Sequence, residues 1–515
     1  MSVRRVMGIE TELGITSPQV DTLGRPLTPM HLSGQVVRAY AAGAGPGAAL
    51  PRSSGWDYAD ETPLRDARGY EVARMLADIS QLTDVEDPTI ANTVLSNGAR
   101  FYVDHAHPEY SSPEVTSPLE ALRYDRAGEQ VALAALRTLA AQGREVRLYK
   151  NNVDGKGASY GTHENYLVPR SVPFARLAES LIPFLVARPV IAGAGRVGLG
   201  QTSERAGFQL SQRADYLEAE IGLETTLRRP IVNTRDEPHA TPHLHRRLHV
   251  IVGDATMADV TTLLALGSLS AVLRLVETFP DAVPDIPLRA PVAAAQVISH
   301  DPTLRATVET LDGRALTGLD LLEAYLEQVE EAAVSGHGAW VLDDDTRQVL
   351  GRWREVLDAL RTDPSSCAGQ VEWVAKHQLL ERFRDRAGAR WDDPRVRAMD
   401  IQWHDLDPAR GLAQKLRAAG QLERLVPEAS VTAAVTEPPA DTRAWFRGEV
   451  VRRFGDDVRG ASWDSVVLAD GRGRARRVQL PEPTDATREQ TAELLARHTS
   501  TASLLTELVT SEDVF

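Results

Sequence analysis

Four short stretches of this chain carry chemically active side chains two residues apart, and that spacing fixes the kind of surface they can form. They are Glu10 and Glu12, then Arg100 with Tyr102 and Asp104, then His163 and Asn165, and last Arg247 and His249. Side chains alternate sides along a β-strand, so residues i and i+2 share a face. In NGARFYVDHAHPEYSSPE, residues 97–114, the spacing predicts a strand over Ala99–Val103 that runs into a tight polar loop. Arg100, Tyr102 and Asp104 then line one face, while Phe101 and Val103 line the other, which suits burial. Glu109 follows in the loop behind Pro108, whose fixed φ stiffens its presentation. One such pair is an ordinary solvated strand face. The same device on four strands favours a shared site on one sheet, with helices packed behind it.

The 515-residue length allows a large core and more than one domain, and 43% hydrophobic with 25% charged residues is a globular balance. A net charge of −15 argues against general binding of nucleic acid or of an acidic membrane surface. The single cysteine, Cys367, precludes an internal disulfide and fits a reducing cytoplasm. The start MSVRRVMGIETELG reaches Glu10 before an apolar segment can form, so no signal peptide is expected. The most apolar helix, around Ala255–Phe279, has a longest uncharged run of fourteen residues, Val260–Leu273. That is short of a membrane span and reads as a buried core helix.

Along the chain, a first strand is expected over Arg4–Ile15 and a helix over Ser33–Ala42. Periodicity then fails from Gly43 to about Ile90, a length that is usually functional or disordered inside a domain. It reads as a mobile insertion, and the aromatic and charged residues of Trp56–Tyr70 argue against a mere linker. Ser117 is placed to cap a helix running to Gln142, with Pro118 at its first position. Strands are expected at Val146–Asn151, His163–Pro169 and Arg247–Val252, with strand entries at Phe208–Ser211 and Ile231–Asn233. Phe174–Ala187 is helical, and Leu316–Gly420 is mainly so, with Trp373–Arg384 and Asp407–Ala419 the clearest cases. Glu437–Pro438–Pro439 punctuates the chain, after which Asp441 or Thr442 can cap a helix through Phe454. The expected class is α+β. A catalytic domain over 1–438, with its insertion at about 43–90, is built on a curved, mostly antiparallel sheet, and a small C-terminal α/β domain covers 439–515.

Carboxylates with one or two imidazoles suit hard divalent ions such as Mg²⁺ or Mn²⁺. Zinc would call for cysteines or a denser histidine set such as HExxH, and neither occurs. Arg100, Arg213 in SQR and Arg235 in NTRDE suit phosphate, which guanidinium grips with two hydrogen bonds. GAGRVG at 193–198 matches GxGxxG, but the following LGQTSERAG does not begin a helix, so no dinucleotide fold is expected. There is no GxxxxGK[ST], and Cys367 lies in DPSSC without a nucleophile signature, which predicts an inert thiol.

At these same residues the sequence resembles a known family. GIETELG, NGARFYVD, HPEYSSPE, KNN, SYGTHENYL, SQRADY, NTRDEPHA and RRLHVIVGD are similar to strings of the Pup ligase and Pup deamidase/depupylase family. The likeness continues through VEWVAKHQLLERF, DIQWHDLDPARGL and EPPADTRAWFRG. It implies the carboxylate–amine ligase fold of glutamine synthetase and glutamate–cysteine ligase. The ligase branch of that family reaches its NGAR strand by a short connection. The deamidase/depupylase branch carries a long inserted loop, which WDYADETPLRDARGY resembles.

The implied chemistry is therefore hydrolysis of a side-chain amide. One reaction converts the C-terminal glutamine of the ubiquitin-like protein Pup to glutamate, and the other cleaves the isopeptide bond between Pup and a substrate lysine. The resemblance implies that Glu10, Glu12, Tyr102, Glu109, His163 and His249 hold two or more Mg²⁺ ions around ATP or ADP. It gives Arg100, Ser112, Arg213, Arg235 and Trp463 to the nucleotide and its phosphates, and makes Asp104 the essential aspartate. The nucleotide is implied as a cofactor that is not consumed, and Asp104 as base or nucleophile, or else a bound phosphate as the attacking group. The implied partners are Pup, pupylated proteins and the proteasomal ATPase ring. Pup is acidic and disordered, so it calls for a local basic groove, with Arg213, Arg228, Arg229 and Arg246 as candidates. The alternatives are a Pup–protein ligase, opposed by the insertion, an inactive Pup-binding adaptor, opposed by the intact ligand set, and a small-molecule amine ligase of the wider fold, opposed by the full-length match.

Overall fold

The computed structural model describes residues 2–43, 55–59, 61–77, 82, 91–335 and 342–510. Its centre is a six-stranded antiparallel sheet in the order His245–Val250, Thr162–Pro169, Met7–Glu12, His107–Ser111, Arg100–Asp104, Asn92–Val94. Residues opposite one another on neighbouring strands share a face. The register sets Glu10 opposite both His163 and Ser111, and Glu12 opposite Glu109. Glu109 in turn faces Tyr102, and His249 faces Asn165. The four polar pairs thus fall on one face, as their spacing predicts. Glu109 lies in a strand and not in a loop, which adds His107 to the same face.

The reverse face is apolar. Phe101, Val103 and Tyr110 pack there against Leu32, Val36 and Val37 of helix Pro29–Ala42 and Val131, Ala135 and Leu139 of helix Pro118–Ala141. Gly128 permits the second helix to close on the sheet, since a Cβ there would stand 2.4 Å from the Tyr110 ring. Helix Asp259–Thr278 is long and apolar enough to cross a membrane, but 89% of its most apolar window is buried inside the fold. It forms the core with the helices of the mainly helical region, among them Gly318–Ser335 and Asp344–Thr362.

Helices Phe174–Ala187 and Pro118–Ala141 occur as the sequence predicts, the latter with the Ser117 hydroxyl accepting from the Glu120 amide at 3.2 Å. Helix Pro29–Ala42 begins earlier than expected because Thr28 caps it and Pro29 fits its first turn. The helix expected at Asp407–Ala419 contracts to Leu412–Ala418. Asp405 and Asp407 take the amides of Asp407 and Ala409, a local side-chain bond that competes with a helix. The strand expected at Val146–Asn151 is only Arg147–Tyr149, paired with Gly14–Thr16. GAGRVG runs into strand Arg196–Leu199, so no helix follows it. Cys367 is buried, and burial pushes its thiol up to about 12, as an inert cysteine requires.

Beyond Pro439, helix Ala444–Phe454 packs with an antiparallel meander, Val458–Ala461, Ser465–Ala469 and Ala475–Gln479, and two further helices. Neither Asp441 nor Thr442 caps that first helix. Thr442 donates to the Glu114 carbonyl at 2.8 Å, and the Asp441 carboxylate accepts from Thr116, so both are spent on tertiary contacts. The apolar cluster of this unit, around Phe446, Val450, Val466 and Leu495, also takes in Trp56 and Val94. Trp56 arrives because Gly55 and Asp57 hydrogen-bond to both backbone groups of Ala461, extending the meander by one parallel bridge. Further on, Arg65–Asp66 pairs with Tyr70–Glu71, and the Ala67 amide donates to the Thr234 carbonyl. Residues 44–54, 60, 78–81 and 83–90 of the expected insertion lie outside the described residues.

Candidate active site

The polar face lines a cavity of about 460 Å³. Two groups of ligand atoms stand on it, each group within 4.8 Å: Glu10 with His163 and His249, and Glu12 with Asp104 and Glu109. In the first, Glu10 lies 3.5 Å from His163 Nδ1 and accepts from Asn165 at 2.9 Å. Burial pushes the Glu10 carboxyl up, but the His163 hydrogen bond and the Arg247 charge outweigh it and keep it below the ordinary value. His249 has two buried ring nitrogens with no hydrogen-bond partner among the described residues. Burial, then the charges of Arg247 and His163, hold it well below the ordinary imidazole range, in the neutral form that binds metal.

The second group concentrates negative charge. Glu12 accepts from the Gly161 amide at 2.7 Å and lies 3.1 Å from His107, whose ring stacks on Tyr160. Burial first, and then the charges of Asp104, Glu10 and Glu12, drive the Glu109 carboxyl well above its ordinary value. Tyr102 donates its hydroxyl to Glu109, and burial followed by the Glu109 charge keeps that phenol protonated. Three carboxylates so close, with Glu12 and Glu109 buried and Asp104 half-buried, need a proton or a cation, and oxygen-rich sets of this kind suit Mg²⁺ or Mn²⁺. The unpartnered nitrogens of His249 fit the same reading.

Asp104 differs from Glu109. Burial raises it, but the His105 hydrogen bond and charge outweigh burial, so it stays below the ordinary carboxylate value. His105 Nδ1 stands 2.5 Å from Asp104 Oδ2. It reaches that place through a two-residue hairpin turn in which His105 (φ 45°) and Ala106 (φ 92°) are both left-handed. Such turns favour Asn and Gly, so the backbone here is strained beside the aspartate it serves.

The arginines divide by partner. Arg100 lies between the rings of Trp56 and Tyr102, 4.0 and 3.8 Å from their centroids, and donates to Asn92 at 3.1 Å. Arg235 and Arg247 both pair with Glu237, at 2.6 and 3.3 Å. Arg213 and Arg229 hold neutral oxygens around Ser159. Of the four arginines expected to form a basic groove, these two line the cavity, and Arg228 and Arg246 do not.

Ser112 and Trp463 line a smaller adjoining cavity of about 90 Å³ with Gly8, Pro238 and Pro483, and Glu10, His239, Arg247 and Trp463 line both cavities. The Ser112 hydroxyl accepts from the Ile9 amide and donates to the Pro113 carbonyl, both within 3.1 Å. Trp463 is held by its carbonyl, which accepts from Arg447 at 2.7 Å, and its ring meets Trp56 edge to face at 5.2 Å. The structure therefore brings all twelve expected residues to two cavities with shared wall residues. Sequence reasoning missed His105, Trp56 and His107, although His107 stands two residues before Glu109 and obeys the same spacing rule.

The family described as Pup-ligase protein matches residues 5–467. The chain belongs to that family. A depupylase of Acidothermus cellulolyticus is 49% identical over 509 residues, covering 98% of this chain and 99% of that protein. A Pup deamidase/depupylase of Mycolicibacterium smegmatis is 48% identical, covering 98% of this chain and 100% of that protein. A Pup–protein ligase of Acidimicrobium ferrooxidans is 42% identical over 79% of this chain and 89% of its own. Within the family, the chain thus groups with the deamidase/depupylase proteins. Among solved structures, the ligase PafA in complex with Pup superposes with a TM-score of 0.77 at 30% identity, covering 99% of this chain and 94% of that one. PafA in complex with ADP gives 0.70 at 32% identity, covering 79% and 90%.

Proposed function

We propose that this chain is a hydrolase that deamidates the C-terminal glutamine of Pup and cleaves the isopeptide bond between Pup and substrate lysines. The observation that carries the reading is Asp104, an ionised carboxylate set into a complete polar face by the His105 turn, in a chain that matches depupylases end to end. An ionised Asp104 is competent as a base toward water or as a nucleophile toward the amide carbon. His105 fixes its carboxylate. Divalent ions held by Glu10, Glu12, Glu109, His163 and His249, with Tyr102 acting through Glu109, would neutralise charge developing on the amide oxygen. Arg100 and Arg235 would contact nucleotide phosphates, and Ser112 and Trp463, which line the smaller cavity, would face the base. Arg213 lines the larger cavity, as Arg100 and Arg235 do, and would join them on the phosphates.

The same proposal includes the glutamine-synthetase-like architecture over about 1–438, a separate C-terminal unit over 439–515, a cytoplasmic location, and Pup, pupylated proteins and a proteasomal ATPase ring as partners. The test is to incubate the protein with Pup ending in glutamine, ATP and Mg²⁺, and to weigh the product. An amide turned to acid, absent in Asp104→Asn, is the expected result. Conjugates formed from Pup ending in glutamate and a lysine-bearing protein would replace the hydrolase with a ligase.

A further inference from the structure

Outside the two cavities of the site, a groove of about 600 Å³ runs between helix Phe174–Ala187, strand Ala219–Gly222 and the loop that follows helix Asp259–Thr278. Its floor is apolar, with Ile182, Pro183, Ile286, Pro287 and Leu288. Glu179, Glu220, Asp281 and Asp285 stand around it, all exposed. None of these four carboxylates forms an ion pair with a described residue. The cations beside them are already engaged. Arg176, on the groove wall, donates to the Pro280 carbonyl, Arg289 lies 3.1 Å from Glu309, and Arg314 lies 2.7 Å from Asp312. The groove therefore presents uncompensated negative charge around an apolar floor, the reverse of what an acidic partner needs.

Its shape is preset. Pro284, Pro287 and Pro291 fix φ along one wall, the Asp285 carbonyl accepts from Arg314 at 2.8 Å, and the Pro287 carbonyl accepts from the Leu311 amide at 2.8 Å. That last bond sets Leu311, 63% exposed, beside the floor and extends its apolar surface. The groove also borders the candidate active site. The Ala219 amide donates to the Arg229 carbonyl at 3.3 Å, Arg229 lines the larger cavity, and the next residue, Glu220, lines the groove. With consecutive Cα atoms about 3.8 Å apart, the two walls lie within roughly 10 Å of each other.

We propose that this groove docks the lysine-bearing protein of a pupylated substrate, taking a basic segment with an apolar side chain close to the modified lysine. The inference rests on the deamidase/depupylase reading, in which one of the two bonds to be cleaved joins two polypeptides. The groove repels acidic Pup and also a second copy of this chain, whose net charge is −15. The lysine side of the isopeptide is the partner that its charge and floor fit, with the apolar side chain as anchor and the basic residues facing the rim. Deamidation involves no second polypeptide and leaves the groove empty. Depupylation fills it.

The experiment compares two conjugates of Pup, each joined through its C-terminal glutamate to the lysine of a peptide of about twelve residues, which at roughly 3.3 Å per residue can reach the groove. One peptide carries arginines and a leucine around the lysine, and the other has glutamates in place of the arginines. Release of Pup is followed by mass spectrometry, alongside deamidation of free Pup ending in glutamine, both with ATP and Mg²⁺. Wild type should cleave the basic conjugate roughly tenfold more efficiently, through a lower KM, as a few exposed ion pairs allow. The preference should fade at about 0.5 M salt, where the Debye length falls to roughly 4 Å. Glu220→Lys combined with Asp285→Lys should abolish or invert the preference and leave deamidation within about twofold of wild type. Equal cleavage of both conjugates by wild type overturns the proposal, as does a preference indifferent to salt or one that survives in the double variant. A folded double variant that is equally slowed in deamidation would put Pup in the groove and overturn it too. If the double variant does not fold, the wild-type comparison and its salt dependence decide alone. Deamidation without discrimination between the conjugates sinks the groove and leaves the hydrolase reading, whereas the absence of both reactions sinks that reading and the inference with it.

Discussion

Glu114 offers the most quantitative test of how the C-terminal unit is held on the site. Its carboxylate accepts from Arg443 Nε at 2.8 Å, from Arg447 Nη1 at 3.0 Å, and again from Arg447 Nη2. Arg447 is fully buried and also donates to the carbonyls of Gly98 and Trp463. One carboxylate therefore neutralises two guanidiniums that tie helix Ala444–Phe454 to the sheet and fix Trp463. Burial pushes Glu114 up, but Arg447 and then Arg443 outweigh it and bring it from 4.5 to about 2. At about 1.4 kcal/mol per pH unit, the difference between 4.5 and about 2 is worth roughly 3 kcal/mol. Because the folded value is depressed, this stability is fully present above pH 4.5 and is lost as pH falls from 4.5 toward 2. Removing one partner of a buried pair costs about 3–5 kcal/mol, in agreement.

Glu114→Gln should therefore speed amide hydrogen exchange in helix Ala444–Phe454 by roughly a hundredfold at pH 7, the equivalent of about 3 kcal/mol. Wild type should show the same loss of protection as pH falls below 4.5, after correction for intrinsic exchange, and the variant should lose that pH dependence. Protection within about threefold of wild type, with its pH dependence unchanged, would refute the clamp.

Three other outcomes follow from the site. Asp104→Asn should lower deamidation by about a thousandfold or more while ADP affinity stays within about threefold, checked by mass spectrometry and calorimetry. Mg²⁺ should raise the melting temperature of wild type by binding the folded state, and His249→Ala or Glu10→Gln should shift that response to higher Mg²⁺. A wild-type melting temperature indifferent to Mg²⁺ and to chelator would remove the metal reading. Trp56→Ala takes one ring off Arg100, a contact worth about 1–2 kcal/mol when desolvated, so the KM for nucleotide should rise roughly five- to thirtyfold. An unchanged KM would show that the stack does not position Arg100.

Several features could be read residue by residue because their rules are local. Strand alternation alone put Glu10, Glu12, Arg100, Tyr102, Asp104, His163 and His249 on common faces. Ser117 and Pro118 marked a helix start by the chemistry of its first turn, and LGQTSERAG ruled out a dinucleotide helix after GAGRVG. Reading stopped where a side chain had a distant use for its polar group. Asp441 and Thr442 have the right chemistry to cap a helix, but they spend it on Thr116 and Glu114. His107 was hidden by a turn whose left-handed His105 and Ala106 carry no glycine or asparagine signal.

The sequence by itself thus determined which residues share a strand face, and through that which donor types the face presents together. Only the tertiary structure decided their company. Register set Glu10 beside His163 and Glu12 beside Glu109, and chain crossings laid Trp56 on Arg100, Arg229 near Arg213 and Glu114 between two C-terminal arginines. Those contacts also set the charge states, holding Asp104 below its ordinary value and pushing its neighbour Glu109 well above. The physical reason is range. Alternation is a period-two property of the local backbone, whereas register and burial depend on the packing of segments hundreds of residues apart, and electrostatics in a dry cavity follows the packing.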